Sequence, residues 1–191
     1  NKSMSRTSLA KKLLLPLFTD LCLNSNTIAH CSFSLGCGGA ERQLLTTVSG
    51  LSKHGFNQHV VCSSLSRQQD LHFKNQIIAE GITPHDAHAF PHHEITKNMA
   101  LQRFRFFPSR FSRSIAAYVG TLHVLSPQIV HVWSGNIHAL IAAVLLNIPR
   151  IVISWQSISP IERSQHRRFS TSLTDRARHQ IYQFFYKNIA T

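Results

Sequence analysis

The sequence predicts an α/β domain built as a doubly wound parallel sheet with helices on both faces, and three observations predict it. Short β-branched and apolar runs recur without polar alternation, as in TIAHCSF, QIVHVW and RIVISW; strands of that kind are buried on both sides, as in parallel sheets. Segments of helical period stand between them, which is the order βαβ units require. The first run passes through a glycine-rich turn directly into a helix. A chain of 191 residues that is 43% hydrophobic is long enough to bury the core of one such domain.

Residues 1–26 are read as an N-terminal extension or linker. Lys2, Arg6, Lys11 and Lys12 precede an apolar run at 13–23 that resembles a signal peptide on the surface. Pro16 and Asp20 interrupt the run, no small-x-small cleavage site follows, and it falls well short of the ~20 apolar residues of a bilayer-spanning helix. The domain is assigned to 27–191. Thr27 to Phe33 is its first strand, followed by the turn SLGCGG. The helix after it carries Ala40, Leu44, Leu45, Val48 and Leu51 on one face and stops at Gly55. HVVCS at 59–63 is the second strand. Leu71, Phe73, Ile77 and Ile78 suggest a helix ended by Gly81, with Ile82 opening a third strand or extended piece. Residues 84–113, rich in Pro, His and Arg, are read as loop plus a short helix. A helix over 114–125 stops before Pro127. A strand at 128–133, an apolar helix at 136–146 and a strand at 150–155 complete the alternation. Beyond them, 163–178 is basic and rich in Ser, and 180–189 has helical character.

Twenty Lys and Arg against eight Asp and Glu give a formal charge of +12, with thirteen His in addition. Such a surface seeks an anionic partner: nucleic acid, an acidic membrane or the phosphates of a small molecule. With only eight carboxylates, chemistry that needs paired acids has few candidates. Cys22, Cys31, Cys37 and Cys62 show no CxxC pair or zinc spacing and are read as reduced, buried thiols. His85, His88, His92 and His93 could ligate zinc or nickel, but with prolines among them and no helix to fix them they are read as a solvated loop. Arg103–Arg113, interleaved with Phe104, Phe106, Phe107 and Phe111, and Arg163–Arg178 could meet lipid headgroups, with Phe at the interface. They could also contact nucleic acid or form a solvated face.

The turn Gly36-Cys37-Gly38-Gly39-Ala40-Glu41-Arg42 sits where a doubly wound sheet binds ligands, at a strand's carboxyl end and a helix N-terminus. It lacks the GxGxxG spacing and no GK[ST] follows. Read by itself, it is either a phosphate-binding turn or plain turn geometry. A dehydrogenase reading is weak, because Ser63 and Ser64 stand where an acidic ribose partner belongs.

Two segments carry a resemblance. SLGCGGAERQLLTTVSGLSKHGFNQHVVCSS is similar to the opening of nucleotide-sugar-dependent glycosyltransferases of the GT-B fold, family 4. PQIVHVWSGNIHALIAAVLLNIPRIVISWQSISP is similar to a later segment of bacterial members. Together they cover about a third of the chain in the family's order. The resemblance implies the N-terminal, acceptor-side Rossmann-like domain of an enzyme of polysaccharide biosynthesis. That enzyme would transfer a sugar from a nucleotide diphosphate sugar to an envelope glycan or lipid-linked acceptor. It implies no metal or other cofactor, and a cytoplasmic location, peripheral on the inner face of the membrane. It places Gly38 and Gly39, with Gly36 at the margin, against the donor diphosphate or the acceptor, and Glu41 and Arg42 at the start of the helix beside them. His131 and Trp133 would face the cleft from the fourth strand, and Gln156 and Ser157 from the fifth. His131 is equally readable as a core histidine, and Trp133 as packing or as a sugar platform. Gln156 departs from the Arg or His that relatives tend to carry, so it can supply neither charge nor proton transfer there. The family holds its donor mainly through an E-x7-E motif in a second domain. The one acidic pair at that spacing here, Asp86 and Glu94, has no matching framework and is read as coincidence. The expectation is half of a GT-B enzyme, with the C-terminal donor domain missing and no activity in isolation. The competing reading is a non-catalytic Rossmann-like module that uses a basic face on membrane or nucleic acid.

Overall fold

In the computed structural model, residues 26–91 and 94–154 are described. They form a five-stranded, wholly parallel sheet of order β3-β2-β1-β4-β5. In chain order the elements are β1 (Thr27–Ser32), α1 (Gly39–Ser52), β2 (Asn57–Cys62), a 3-10 turn (Gln68–Leu71), α2 (Lys74–Ala79) and β3 (Pro84–Asp86). Then come α3 (Glu94–Arg103), α4 (Ser109–Leu125), β4 (Ile129–Trp133), α5 (Ile137–Leu145) and β5 (Arg150–Ser154). The doubly wound α/β expectation holds.

β1 is buried along its whole length and pairs on both sides, with Thr27 opposite Asn57 and Ile28 opposite Ile129 at its start. Strand alternation then sorts the side chains. On one face Val60, Cys62 and Trp133 pack with Leu44 and Val48 of α1 and with Phe73 and Ile77 around α2. Ala29, Cys31, Val61, Val130 and Val132 have the opposite parity and are also buried. α4 is buried without interruption from Ile115 to Leu122, and α5 over most of its length, which is why the sequence of α5 shows no polar face.

The turns follow residue chemistry. Gly55 and Gly81, the two expected helix stops, both have positive φ, which glycine adopts without the steric cost of a Cβ. β3 is shorter than a strand opened by Ile82 would be. It begins at Pro84, and a proline is tolerated at the first position of an edge strand; Ile82 instead joins the core.

Two expectations need correction. Residues 84–113 hold the expected loop and short helix, α3, but also the strand β3, and α4 starts at Ser109, five residues ahead of the reading. Ser112 explains the early start. It is buried, and its hydroxyl donates to the Phe104 carbonyl at 2.7 Å, binding the turn to the first turn of α4. Among the cysteines, Cys31 and Cys62 are buried thiols, but Cys37 is exposed in the glycine-rich turn; Cys22 lies outside the described residues.

Candidate functional site

The strand order reverses direction between β1 and β4. In open α/β sheets the crevice beyond the carboxyl ends of two such strands is where ligands bind. Two segments border it here: the turn after β1, and Ser134-Gly135-Asn136 after β4.

The second turn is the more constrained. Ser134 and Gly135 both lie in the left-handed region, at φ 51° and 66°, and a non-glycine residue held there stores backbone strain. Ser134 N–H donates to the Ser154 carbonyl at 3.0 Å, tying the ends of β4 and β5 together. Asn136 caps α5, its Oδ1 accepting from Ala139 N–H. Its Nδ2 donates to the Tyr118 hydroxyl at 2.8 Å and to the Ser32 carbonyl at 3.0 Å, with Ser63 Oγ at 3.3 Å. Tyr118 is fully buried, and its hydroxyl also reaches the Ser32 carbonyl and Ser63 Oγ, each at 3.0 Å. Burial pushes its phenol well above the ordinary tyrosine value, so it stays protonated. Asn136, Tyr118 and Ser63 thus join the ends of β1, β2 and β4 beneath the crevice. Sequence reasoning missed this knot. Its signal was an Asn directly before an apolar helix and a Tyr inside an apolar one.

The first turn holds the predicted glycines. None of Gly36, Gly38 and Gly39 has positive φ, so their value lies in close approach. A Cβ on Gly36 would stand 2.9 Å from the Gln69 carbonyl. Gly38 is the N-cap of α1 in an extended conformation, and the Glu41 carboxylate folds back over it, an anion against the positive end of the helix. Gly39 is exposed, and a Cβ there would meet nothing within 4 Å. Arg42 is exposed one turn along, its N–H donating to the Gly38 carbonyl.

His131 and Trp133 lie on the α1 face with His30, which stands opposite His131 in the β1–β4 register. His131 is half-buried and shares a 2.7 Å hydrogen bond with Ser154 Oγ. Trp133 is 2% exposed, with its ring 4.2 Å from that of His131, so it serves the core in this structure. Its Nε1–H points at His30 Nδ1 at 3.5 Å, while His30 Nε2 pairs with Gln58 Oε1 at 3.1 Å. One arrangement satisfies both contacts: a neutral His30 with its proton on Nε2. Desolvation lowers the pKa of His30 to about 4, helped by His131 and opposed by the Gln58 hydrogen bond; desolvation also lowers His131 to about 4. Gln156 and Ser157 lie outside the described residues.

The remaining candidates separate. Asp86 accepts from the backbone N–H groups of Leu65 and His88, and Glu94 pairs with Lys97. The two acids therefore serve separate local structures. His85 packs between His59 and Phe90, His88 is exposed, and His92 and His93 lie outside the described residues. Among the described residues no group of three His, Cys, Asp or Glu is placed to hold a metal.

The model of Glycosyltransferase Family 4 matches residues 37–191. The chain belongs to that family. The match begins inside the glycine-rich turn and takes in every later element of the sheet. No curated protein and no solved structure matches the chain. Family 4 membership agrees with the parallel Rossmann-like sheet, and it gives the chain a glycosyltransferase-type function with nucleotide sugar and acceptor as substrates. Among the described residues no helix is long and apolar enough to cross a membrane.

Proposed function

We propose that this chain is the acceptor-side domain of a GT-B glycosyltransferase that moves a sugar from a nucleotide diphosphate sugar to an envelope glycan or lipid-linked acceptor. One observation carries the reading: the glycine-rich start of α1 and the Ser134-Gly135-Asn136 turn border one crevice at the β1–β4 reversal. The open space over Gly39 lets a sugar or diphosphate approach the turn's backbone, a diphosphate taking the place at the helix N-terminus that the Glu41 carboxylate holds in this structure. His131 offers a neutral imidazole for a hydrogen bond to a sugar hydroxyl. Arg42, together with the helix dipole, would offset charge on the leaving diphosphate, in a scheme that needs no metal.

The donor-holding carboxylates are proposed to lie in a second domain, since Asp86 and Glu94 are engaged elsewhere. Without that domain the chain is expected to bind acceptor and to transfer nothing.

The turn between α3 and α4 supports a peripheral membrane location. Phe106 is 84% exposed, with Arg105 Cζ 4.8 Å above its ring, and Arg110 and Arg113 are exposed nearby. The other three phenylalanines are turned to packing: Phe104 is buried, and Phe107 stacks on Phe111. One aromatic, with three cations, therefore faces an anionic bilayer from this turn. Arg163–Arg178 lies outside the described residues.

Gly39→Val tests the central assignment. A Cβ at position 39 meets nothing within 4 Å, so the full gene product should keep its melting temperature within a few degrees and lose sugar transfer by about a hundredfold, the size of a lost positioning or anion-stabilising contact. Full activity in that variant would refute the role given to the turn.

A further inference from the structure

The register sets four side chains in one row across the α1 face of the sheet: Val60 of β2, His30 of β1, His131 of β4 and Val152 of β5. Val60 and His30 are fully buried, His131 is half-buried and Val152 is exposed, so the row runs from the core toward the β5 edge. His30 is the odd member. Burying an imidazole costs desolvation that a valine or isoleucine at that position would not, and nothing in the transfer reading gives it a task.

Its hydrogen bonds can run in only one direction. The Val48 carbonyl of α1 can only accept, and it takes Gln58 Nε2–H at 3.1 Å and the Ser52 hydroxyl at 3.0 Å. Gln58 Nε2 gives its other hydrogen to Ser52 Oγ at 3.0 Å, which leaves Gln58 Oε1 facing His30. His30 Nε2 must then donate, and Nδ1 turns its lone pair to Trp133 Nε1–H, a group that can only donate. A carbonyl at one end and an indole N–H at the other thus fix every proton between them. The chain holds Trp133, whose ring stands 4.2 Å from that of His131, with the His30 ring 5.4 Å from it on β1. Ser154 Oγ on β5 engages His131 Nε2. Neighbours on three strands therefore define where this imidazole sits.

We propose that His30 is a positioning residue for sugar transfer: from inside the core it holds the Trp133 indole and, with it, sets where the His131 imidazole stands for its contact with the sugar. The inference deepens the glycosyl-transfer reading and rests on it for the hydrogen bond assigned to His131. It makes Gln58, on β2, part of the same device. Without the Gln58 carbonyl oxygen His30 can take its other tautomer, whose Nδ1–H would confront the indole N–H.

Two measurements on the full gene product test it: ¹⁵N spectra of the histidine rings, which report tautomer and pKa, and the steady-state kinetics of transfer. In the wild type His30 should carry its proton on Nε2, and His131 should titrate at about 4. His30→Leu offers the indole no acceptor, and Gln58→Met frees the tautomer with His30 still in place. In both, the His131 pKa should rise toward the ordinary 6.5 as its ring leaves its place. Their kcat should fall about tenfold, by more than KM rises, as for a group displaced from its working geometry. His30→Gln, which keeps a donor and an acceptor, should bring kcat back to within about threefold of the wild type. Packing alone predicts lower melting temperatures with His131 and kcat unmoved, and that result would overturn the inference. So would a His30→Gln protein no better than His30→Leu. The two readings fail separately. A protein that transfers sugar at one rate in every form loses the role of His30 alone. One in which His131 shifts with His30 and Gln58 while no form transfers sugar loses the glycosyl-transfer reading, and with it the reaction that His30 serves.

Discussion

Gly36 and Gly39 stand three positions apart in one turn, and the structure asks different things of them. Alanine at Gly36 would press its Cβ against a backbone carbonyl at 2.9 Å, which cannot swing aside as a side-chain tip can. Gly36→Ala should therefore cost about 1–3 kcal/mol in urea denaturation, the range for overpacking. Gly39→Ala enters open space in the first helical turn and should be neutral or stabilise by up to about 1 kcal/mol. His30 makes the pH prediction. Its pKa is about 4 folded, against 6.5 as the ordinary value, so the unfolded chain binds its proton more readily. Stability should hold above about pH 6.5 and fall as the pH drops toward 4, by on the order of 3 kcal/mol from His30. His131 moves in the same direction. Thermal melts between pH 4 and 7 check this, and His30→Leu should flatten part of the slope; a flat wild-type profile would remove the buried neutral pair from the account.

At the scale of elements, the Asn136–Tyr118 knot joins three strand ends and the cap of α5. Tyr118→Phe removes one hydroxyl from contact with Ser32, Ser63 and Asn136, and should cost about 1–3 kcal/mol in chemical denaturation, because the partners left behind are buried. Asn136→Ala also loses the helix cap and should cost about 2–4 kcal/mol. Most of these elements were legible in the sequence, for a physical reason. β1, β4 and α5 are buried nearly all round, so their apolar runs are uninterrupted, and α1 carries its core positions at helical spacing. The bounds of α3, read only as a short helix somewhere in 84–113, and the start of α4 were not legible. Arginines interleave with phenylalanines there, and what makes the helix begin at Ser109 is a contact from Ser112 to Phe104 eight residues back. The candidate site was half legible. Glycines at a turn announce themselves, whereas Ser63, Tyr118 and Asn136 are ordinary residues until the topology brings them together. His30 was hidden in a strand for the same reason.

For the whole molecule, the formal charge is +12, and among the described residues its cations fall on separate elements. Arg105 lies over exposed Phe106, and Arg110 and Arg113 are exposed at the start of α4, while Lys74 stands at the start of α2. Vesicles containing anionic lipid should bind the protein with an affinity that falls as salt rises. Phe106→Ser together with Arg105→Ser should weaken that binding severalfold, roughly 1 kcal/mol for the cation and as much again for the ring; unchanged binding would move the membrane surface elsewhere. The most direct measurement is sugar transfer by the full gene product, wild type against Gly39→Val, with a panel of nucleotide diphosphate sugars and lipid-extracted acceptors. Transfer by the wild type, lost about a hundredfold in a variant of unchanged melting temperature, is the predicted result. Equal transfer by both proteins would contradict a glycosyl-transfer crevice bordered by this turn.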